Sequence, residues 1–229
     1  MHVSGASCGQ TRVAAGRGGS AAWRCCRVQA LIALRAAGQD AAADNLGDAM
    51  MDLTFSPLSA ERWPALEDLF GRAGASNGCW CMYWRIGPCY RDRPREDNKR
   101  DLEQLARSGQ PPGLLAFEGH IAVGWCELAP RADLDWLARG RHFRPVDDLP
   151  VWSVPCFYVR RTHRRQGVME ALIEAATGVA ASVGAPALEA YPVDTAVPGH
   201  TRNLFLGVAS AFARHGFPRS WPAASPIVL

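Results

Sequence analysis

The sequence predicts a mixed α/β domain, and three observations carry that prediction. Residues 151–159, Val-Trp-Ser-Val-Pro-Cys-Phe-Tyr-Val, are nearly all apolar, as suits a strand covered on both faces. After a basic turn with one glycine, Val168, Leu172, Ile173, Ala176, Val179 and Val183 recur at helical spacing, so one stripe can pack back on the sheet. Upstream, Gly113 to Phe117 and His120 to Leu128 read as a hairpin around Glu118-Gly119.

Length and composition narrow the field. The chain of 229 residues can hold one good-sized domain plus an appendage. It is 48% apolar and 21% charged, with a mean hydropathy of −0.10. No apolar run approaches the roughly 18 residues of a membrane span, so no membrane partner is expected. The net charge of +3 is concentrated at residues 160–165. That is a single patch and not a stripe, so no nucleic-acid partner is expected either. Eight cysteines show no disulfide or zinc spacing. Cys79, Cys81 and Cys89 offer three thiolates without a nearby CxxC pair, and His120 lies far along the chain. No metal is expected, and buried reduced thiols in a cytoplasmic protein are the reading adopted.

Residues 1–50 differ from the rest. They are rich in Ala, Gly and Arg, lack an acidic residue before Asp40 and show no strand pattern; Ala21 to Ala37 has the makings of a loose helix. Three readings are open: a disordered or dispensable extension with Met50 or Met51 as the working start, an Arg-rich targeting peptide, or a partner-binding arm. The first is preferred, because no secretory apolar region is present.

From Met51 the pattern becomes regular. Asp52 to Phe55 reads as a strand. Ser59 is placed to cap a helix carrying Trp63, Leu66 and Phe70, ended by Gly71 and Gly74. The aromatic and sulfur-rich segment 79–85 either walls an acceptor pocket or is simply core. Asp97 to Ser108 reads as a polar helix with Leu102 and Leu105 inward. In the second hairpin strand Ile121, Val123, Trp125 and Glu127 share one face by period two; Glu127 is either functional or at a strand end facing water. A short helix is expected around Leu134 to Ala138. Ala187 to Val193 reads as a strand with Glu189 and Tyr191 on one face. Asn203 to His215 reads as a helix stopped by Gly216, and Ser225 to Leu229 as a closing strand.

A strand feeding a glycine turn and a helix N-terminus is a ready-made anion site, because the first-turn N–H groups have no intrahelical partner. Arg160, Arg161, Arg164 and Arg165 crowd that turn, so a multiply charged anion such as a phosphorylated cofactor fits. Pro155 removes a ladder donor and argues for a bulge, or else for an edge strand.

The turn Arg164-Arg165-Gln166-Gly167-Val168-Met169 resembles the Gln/Arg-x-x-Gly-x-Gly/Ala motif of the GNAT superfamily of acyl-CoA-dependent N-acetyltransferases. Met169 stands where Gly or Ala is usual. The order of elements is similar to the family plan over residues 51–229. The resemblance implies a mixed, largely antiparallel central sheet flanked by helices and splayed between the family's fourth and fifth strands. It implies acetyl-CoA as co-substrate, with its pyrophosphate on the loop amides of Arg165, Gln166, Gly167, Val168 and Met169 and beside the charge of Arg164. Its pantetheine arm would lie along Phe157, Tyr158 and Val159. Two further positions depart from the pattern: Ser153 stands where members often have glutamate, and Phe212 where a tyrosine often protonates the departing thiolate.

Acetyl transfer to an amine needs a base for the amine proton and stabilisation of the leaving thiolate. Glu127 and Glu189 are the candidate bases and Tyr191 the candidate acid, chosen by strand parity. The expected acceptor is a small-molecule amine. The alternatives are a protein or peptide acceptor, or a non-catalytic acyl-CoA sensor. The sequence leaves the oligomeric state open, a homodimer among the options.

Overall fold

The computed structural model describes residues 28–31, 52–140, 143–145, 147–197 and 204–217. Among these residues Val28–Leu31 (β1), Leu53–Pro57 (β2), Gly113–Glu118 (β3), Ile121–Pro130 (β4), Trp152–Val159 (β5) and Ala187–Ala190 (β6) form one sheet. The strand order is β1-β6-β5-β4-β3-β2, antiparallel throughout except for β5 beside β6. Helices Trp63–Phe70 (α1), Tyr83–Ile86 (α2), Arg95–Arg107 (α3), Asp135–Arg139 (α4), Val168–Ser182 (α5) and Ala209–Arg214 (α6) flank it. The expected mixed, largely antiparallel architecture is therefore present. No helix among the described residues is long and apolar enough to cross a membrane.

Two apolar clusters occupy the two faces of the sheet. One sets Val168, Leu172, Ile173 and Ala176 of α5 against Leu114, Cys126, Val154 and Leu188. Gly124 of β4 permits this close approach: a Cβ there would lie 2.7 Å from Val168 Cγ1 and 3.0 Å from Leu172 Cδ1. The other cluster gathers Trp63, Leu66, Trp80, Leu102 and Trp125 beneath α1 and α3. In α3, Glu96 and Asp97 sit in the first turn and Arg107 in the last, each complementing the helix dipole.

The splay lies where the family plan puts it. β5 and β6 pair only at Trp152–Leu188 and Ser153–Glu189, so residues 154–159 have no β6 partner. Pro155 sits at the bulge that starts the divergence. Glu127 pairs with Cys156 and Ala129 with Ser153, leaving Val154 and Pro155 together opposite Leu128. The proline thus falls where a ladder donor is not needed. The edge-strand alternative is ruled out, because β5 lies between β4 and β6. The Arg160 N–H donates to Val123 O at 2.8 Å. By the alternation of an antiparallel ladder, the backbone groups of Phe157 and Val159 then point into the gap.

Several expectations are corrected. Val123 does not share a face with Trp125: Ala116 pairs with Gly124 and Phe117 with Ala122, which makes Val123 the extra residue of a bulge. It joins the α5-side cluster, while Trp125 lies on the opposite side. α1 begins at Trp63 and not at Ser59, because Pro64 at the helix start presets φ and lacks the N–H. The expected helix over 203–215 is interrupted. A 3-10 turn, Leu204–Leu206, is followed by Gly207 at φ +82° and then α6. The break lets Val193 donate to Gly207 O and Val208 bridge to Val193. Residues 28–31 form strand β1 on the edge of β6, where a helix was expected. The expected closing strand 225–229 lies outside the described residues.

Candidate active site

The gap between β5 and β6 opens onto a cavity of about 970 Å³. One wall is Phe157, Tyr158 and Val159 of β5 with Arg164, Arg165, Gly167, Val168 and Met169 of the turn and α5. The facing wall includes Cys79, Cys81, Tyr83, Trp84, Tyr90 and Arg91. Of the sequence-predicted loop residues, Gln166 alone is not on the wall. Its side-chain amide donates to Thr162 O at 2.9 Å and braces the turn.

The turn is shaped to accept an anion. Arg165 and Gly167 adopt φ of +62° and +80°, the left-handed conformation that gathers amides into a concavity. The first helical bond of α5 runs from Ala171 N to Gly167 O at 3.0 Å, so the amides before it have no acceptor within the helix. A Cβ on Gly167 would meet no protein atom within 4 Å, so the space there is open to a ligand. The four arginines divide. Arg160 is committed to Ala122 O at 3.0 Å and to Asp68 at 2.5 Å. Arg161 does not line the cavity, whereas Arg164 and Arg165 do. Arg164 Nε donates to Val159 O at 3.2 Å, tying the turn to the end of β5.

Glu127 is the polar group that stands out. It projects from β4 opposite Cys156 of the cavity wall and is 1% exposed, which removes the water-facing reading. Neither carboxylate oxygen has a hydrogen-bond partner, and Arg85 Nε lies 3.5 Å from Oε1. Burial pushes its pKa from 4.5 up to about 7, with the Arg85 charge opposing the rise. A carboxyl so tuned can take a proton near neutral pH. The thiols beside it cannot act as ready nucleophiles. Burial pushes the Cys79 thiol up to about 11. The contact with Cys156, at 3.9 Å, and burial hold the Cys81 thiol well above its ordinary value.

Glu189 and Tyr191 are placed differently. Like Glu127, both are buried and neither lines the cavity, but each is held in a hydrogen-bond network. Arg131 bonds both, reaching the Tyr191 hydroxyl at 2.6 Å, and Ser153 donates to Glu189 at 2.9 Å. The Tyr191 hydroxyl also donates to Glu189. Burial and the Glu189 charge raise the phenol pKa well above its usual value, which makes it a poor proton donor. Ser153–Glu189 is the last β5–β6 pair, so this network sits where the strands part. Tyr191→Phe is therefore expected to cost stability by about 1–3 kcal/mol while leaving kcat within about twofold. A melting curve beside initial rates checks it, and a large loss of kcat at unchanged stability would return Tyr191 to the acid role.

The family model described as the acetyltransferase (GNAT) family matches residues 79–217, more than half of the chain. The chain belongs to the GNAT acetyltransferase family. Solved structures similar to it include an aminoglycoside antibiotic 6'-N-acetyltransferase from Acinetobacter haemolyticus, at 18% identity and a TM-score of 0.43, covering 77% of this chain and 95% of that one. Another aminoglycoside acetyltransferase, complexed with a bisubstrate analogue of CoA, gives 14% identity, a TM-score of 0.44 and the same coverage. A ribosomal-protein-alanine N-acetyltransferase from Brucella melitensis gives 18% identity and a TM-score of 0.36, covering 57% of this chain and 72% of that one. Similarity of this degree identifies no acceptor. No curated protein matches the chain.

Within this GNAT domain the sequence reading missed Arg85 and Arg131. Each acts on a partner more than 40 residues away, Arg85 on Glu127 and Arg131 on Glu189 and Tyr191. An arginine at the end of the aromatic segment was the one available signal for Arg85. Segment 79–85 divides: Trp80 is core, while Cys79, Cys81, Tyr83 and Trp84 line the cavity. Phe212 is fully buried against Phe157 and Phe217 and offers no proton.

Proposed function

We propose that this GNAT protein transfers the acetyl group of acetyl-CoA to the amine of a small molecule, with Glu127 as the base. The observation that carries the reading is a buried carboxylate without a hydrogen-bond partner, set behind the wall of a cavity that runs along residues 157–169. Acetyl-CoA supplies the acyl group as a thioester. The amides of residues 165–169, with Arg164 and Arg165, bind the pyrophosphate. The gap-facing backbone groups of Phe157 and Val159 hold the amides of the pantetheine arm. Glu127 takes a proton from the ammonium of the acceptor through water. Holding amine and thioester together supplies much of the rate, since effective molarity contributes about 7–11 kcal/mol.

Phe212 and Ser153 favour a second reading, a sensor that binds acyl-CoA without chemistry. Mixing the protein with acetyl-CoA and an amine library separates the two. The enzyme releases one CoA thiol per acetylated amine, and the sensor releases none above the rate of spontaneous hydrolysis. The thiols of Cys79, Cys81, Cys126 and Cys156 are free, which suits the reducing cytoplasm as the working compartment.

We further propose that residues 1–50 are dispensable for the site. Their removal takes β1 from the edge of β6 and leaves every cavity-lining residue among the described residues in place. A protein starting at Met51 is expected to melt a few degrees lower and to keep its acetyl-CoA affinity within about twofold. Calorimetric titration of both lengths checks this, and loss of binding in the shorter chain would contradict it.

A further inference from the structure

We infer that the acceptor is an alkylamine with an aromatic body that also carries a carboxylate, its amine directed toward Glu127 behind the cavity wall and its acid group at Arg91. The inference rests on the acetyl-transfer reading above. The order of side chains along the acceptor wall supports it. Glu127 lies 3.5 Å from Arg85, which is held by a bond from its Nη1 to Asp133 O at 3.1 Å. The next residue, Trp84, meets Tyr83 edge-on with ring centroids 4.8 Å apart, and Tyr83 meets Tyr90 edge-on at 6.1 Å. Tyr90 then leads to Arg91. Three rings and a cation thus line the cavity, and Glu127 lies behind its wall at Cys156.

Each part selects a feature of the ligand. The rings offer faces and edges that suit a flat apolar body. The Trp84 indole N–H is buried without a partner, a donor left over for a polar atom on that body. Arg91 is exposed at the cavity rim, and its Nε donates to the Tyr90 hydroxyl at 2.9 Å. That bond aims the guanidinium and leaves its two Nη groups for a carboxylate, the pairing its planar fork fits best.

The same charges select against polycations. The thiols of Cys79 and Cys81 stay neutral. Among the described residues lining the cavity Glu170 is the one carboxylate, and it stands in the first turn of α5, paired with Arg214 at 2.7 Å. A second ammonium on the acceptor therefore meets Arg91 and no counter-charge, a repulsive element that discriminates as effectively as an attractive one.

The test measures CoA thiol release by the full chain with acetyl-CoA and four acceptors: 4-(2-aminoethyl)benzoate, 2-phenylethylamine, spermidine and kanamycin. The expected kcat/KM for the acid-bearing amine exceeds that for 2-phenylethylamine at least tenfold and those for the two polycations at least a hundredfold. Arg91→Gln is expected to shrink the preference for the acid-bearing over the acid-free amine at least fivefold, through KM, and Arg91→Lys to restore part of it. Preferred turnover of spermidine or kanamycin overturns the inference and leaves acetyl transfer standing. So does an acid preference that Arg91→Gln does not touch, or an Arg91→Gln effect confined to the KM of acetyl-CoA. Thiol release with none of the four, although acetyl-CoA binds, overturns the inference and counts against the transferase reading itself.

Discussion

Replacing Glu127 with glutamine is expected to lower kcat by about 10²- to 10⁴-fold, the usual contribution of a positioned general base, with acetyl-CoA affinity unchanged. The pH dependence gives the role away. Wild-type rates should rise with pH through about 7, where the buried carboxyl loses its proton, and Glu127→Gln should lack that limb. Stability moves the other way. The carboxyl titrates near 4.5 in the unfolded chain and near 7 in the folded one, so between those values the folded state binds more protons. The contribution is present in full below about pH 4.5 and is lost as pH rises through about 7. The loss is on the order of 3 kcal/mol. Glutamine stays neutral, so the variant should melt higher than wild type at pH 8 and the difference should fade toward pH 4. A variant that loses rate and stability together at pH 8 would instead mark Glu127 as a structural partner of Arg85.

Gly167→Val is expected to weaken acetyl-CoA binding at least tenfold, which is about 1.4 kcal/mol, in a protein that still folds. A valine at φ +80° costs about 1–2 kcal/mol of backbone strain. The added Cβ itself meets no protein atom within 4 Å beyond its chain neighbours. The added methyls instead fill the space over the first-turn amides, where the pyrophosphate would sit. Arg164→Ala should weaken binding less and lose its effect as salt is raised, because an exposed charge is screened. Calorimetric titration beside melting curves reads both. Normal affinity in a folded Gly167→Val protein would remove the cofactor from this turn.

What was legible in the sequence was local. The strand, the glycine turn and the helix from 151 to 183 are contiguous, and their apolar periods and left-handed glycine are written in neighbouring residues. Pro155 announced the bulge because a missing donor has one meaning in a central strand. Contacts across the sheet were not legible. Strand parity put Glu127, Glu189 and Tyr191 on candidate faces. It could not show that Arg131 bonds the last two or that Glu127 is left without a hydrogen-bond partner. The bulge at Val123 breaks the period of two from which the face was read, and no residue type there marks it. Ser59 looked like a helix cap by composition, yet its hydroxyl is buried without a partner and the helix starts four residues later.

The account turns on acetyl-CoA lying in the gap between β5 and β6, and amide hydrogen exchange with and without acetyl-CoA tests that most directly. Phe157 and Val159 are past the last β5–β6 pair with their backbone groups facing the gap, and the turn is open at Gly167, where an added Cβ would meet no protein atom within 4 Å. Bound acetyl-CoA is expected to slow exchange in both segments and to leave β2 and β3 unchanged. Saturating binding with no added protection at 157–159 or 165–169 would contradict the account.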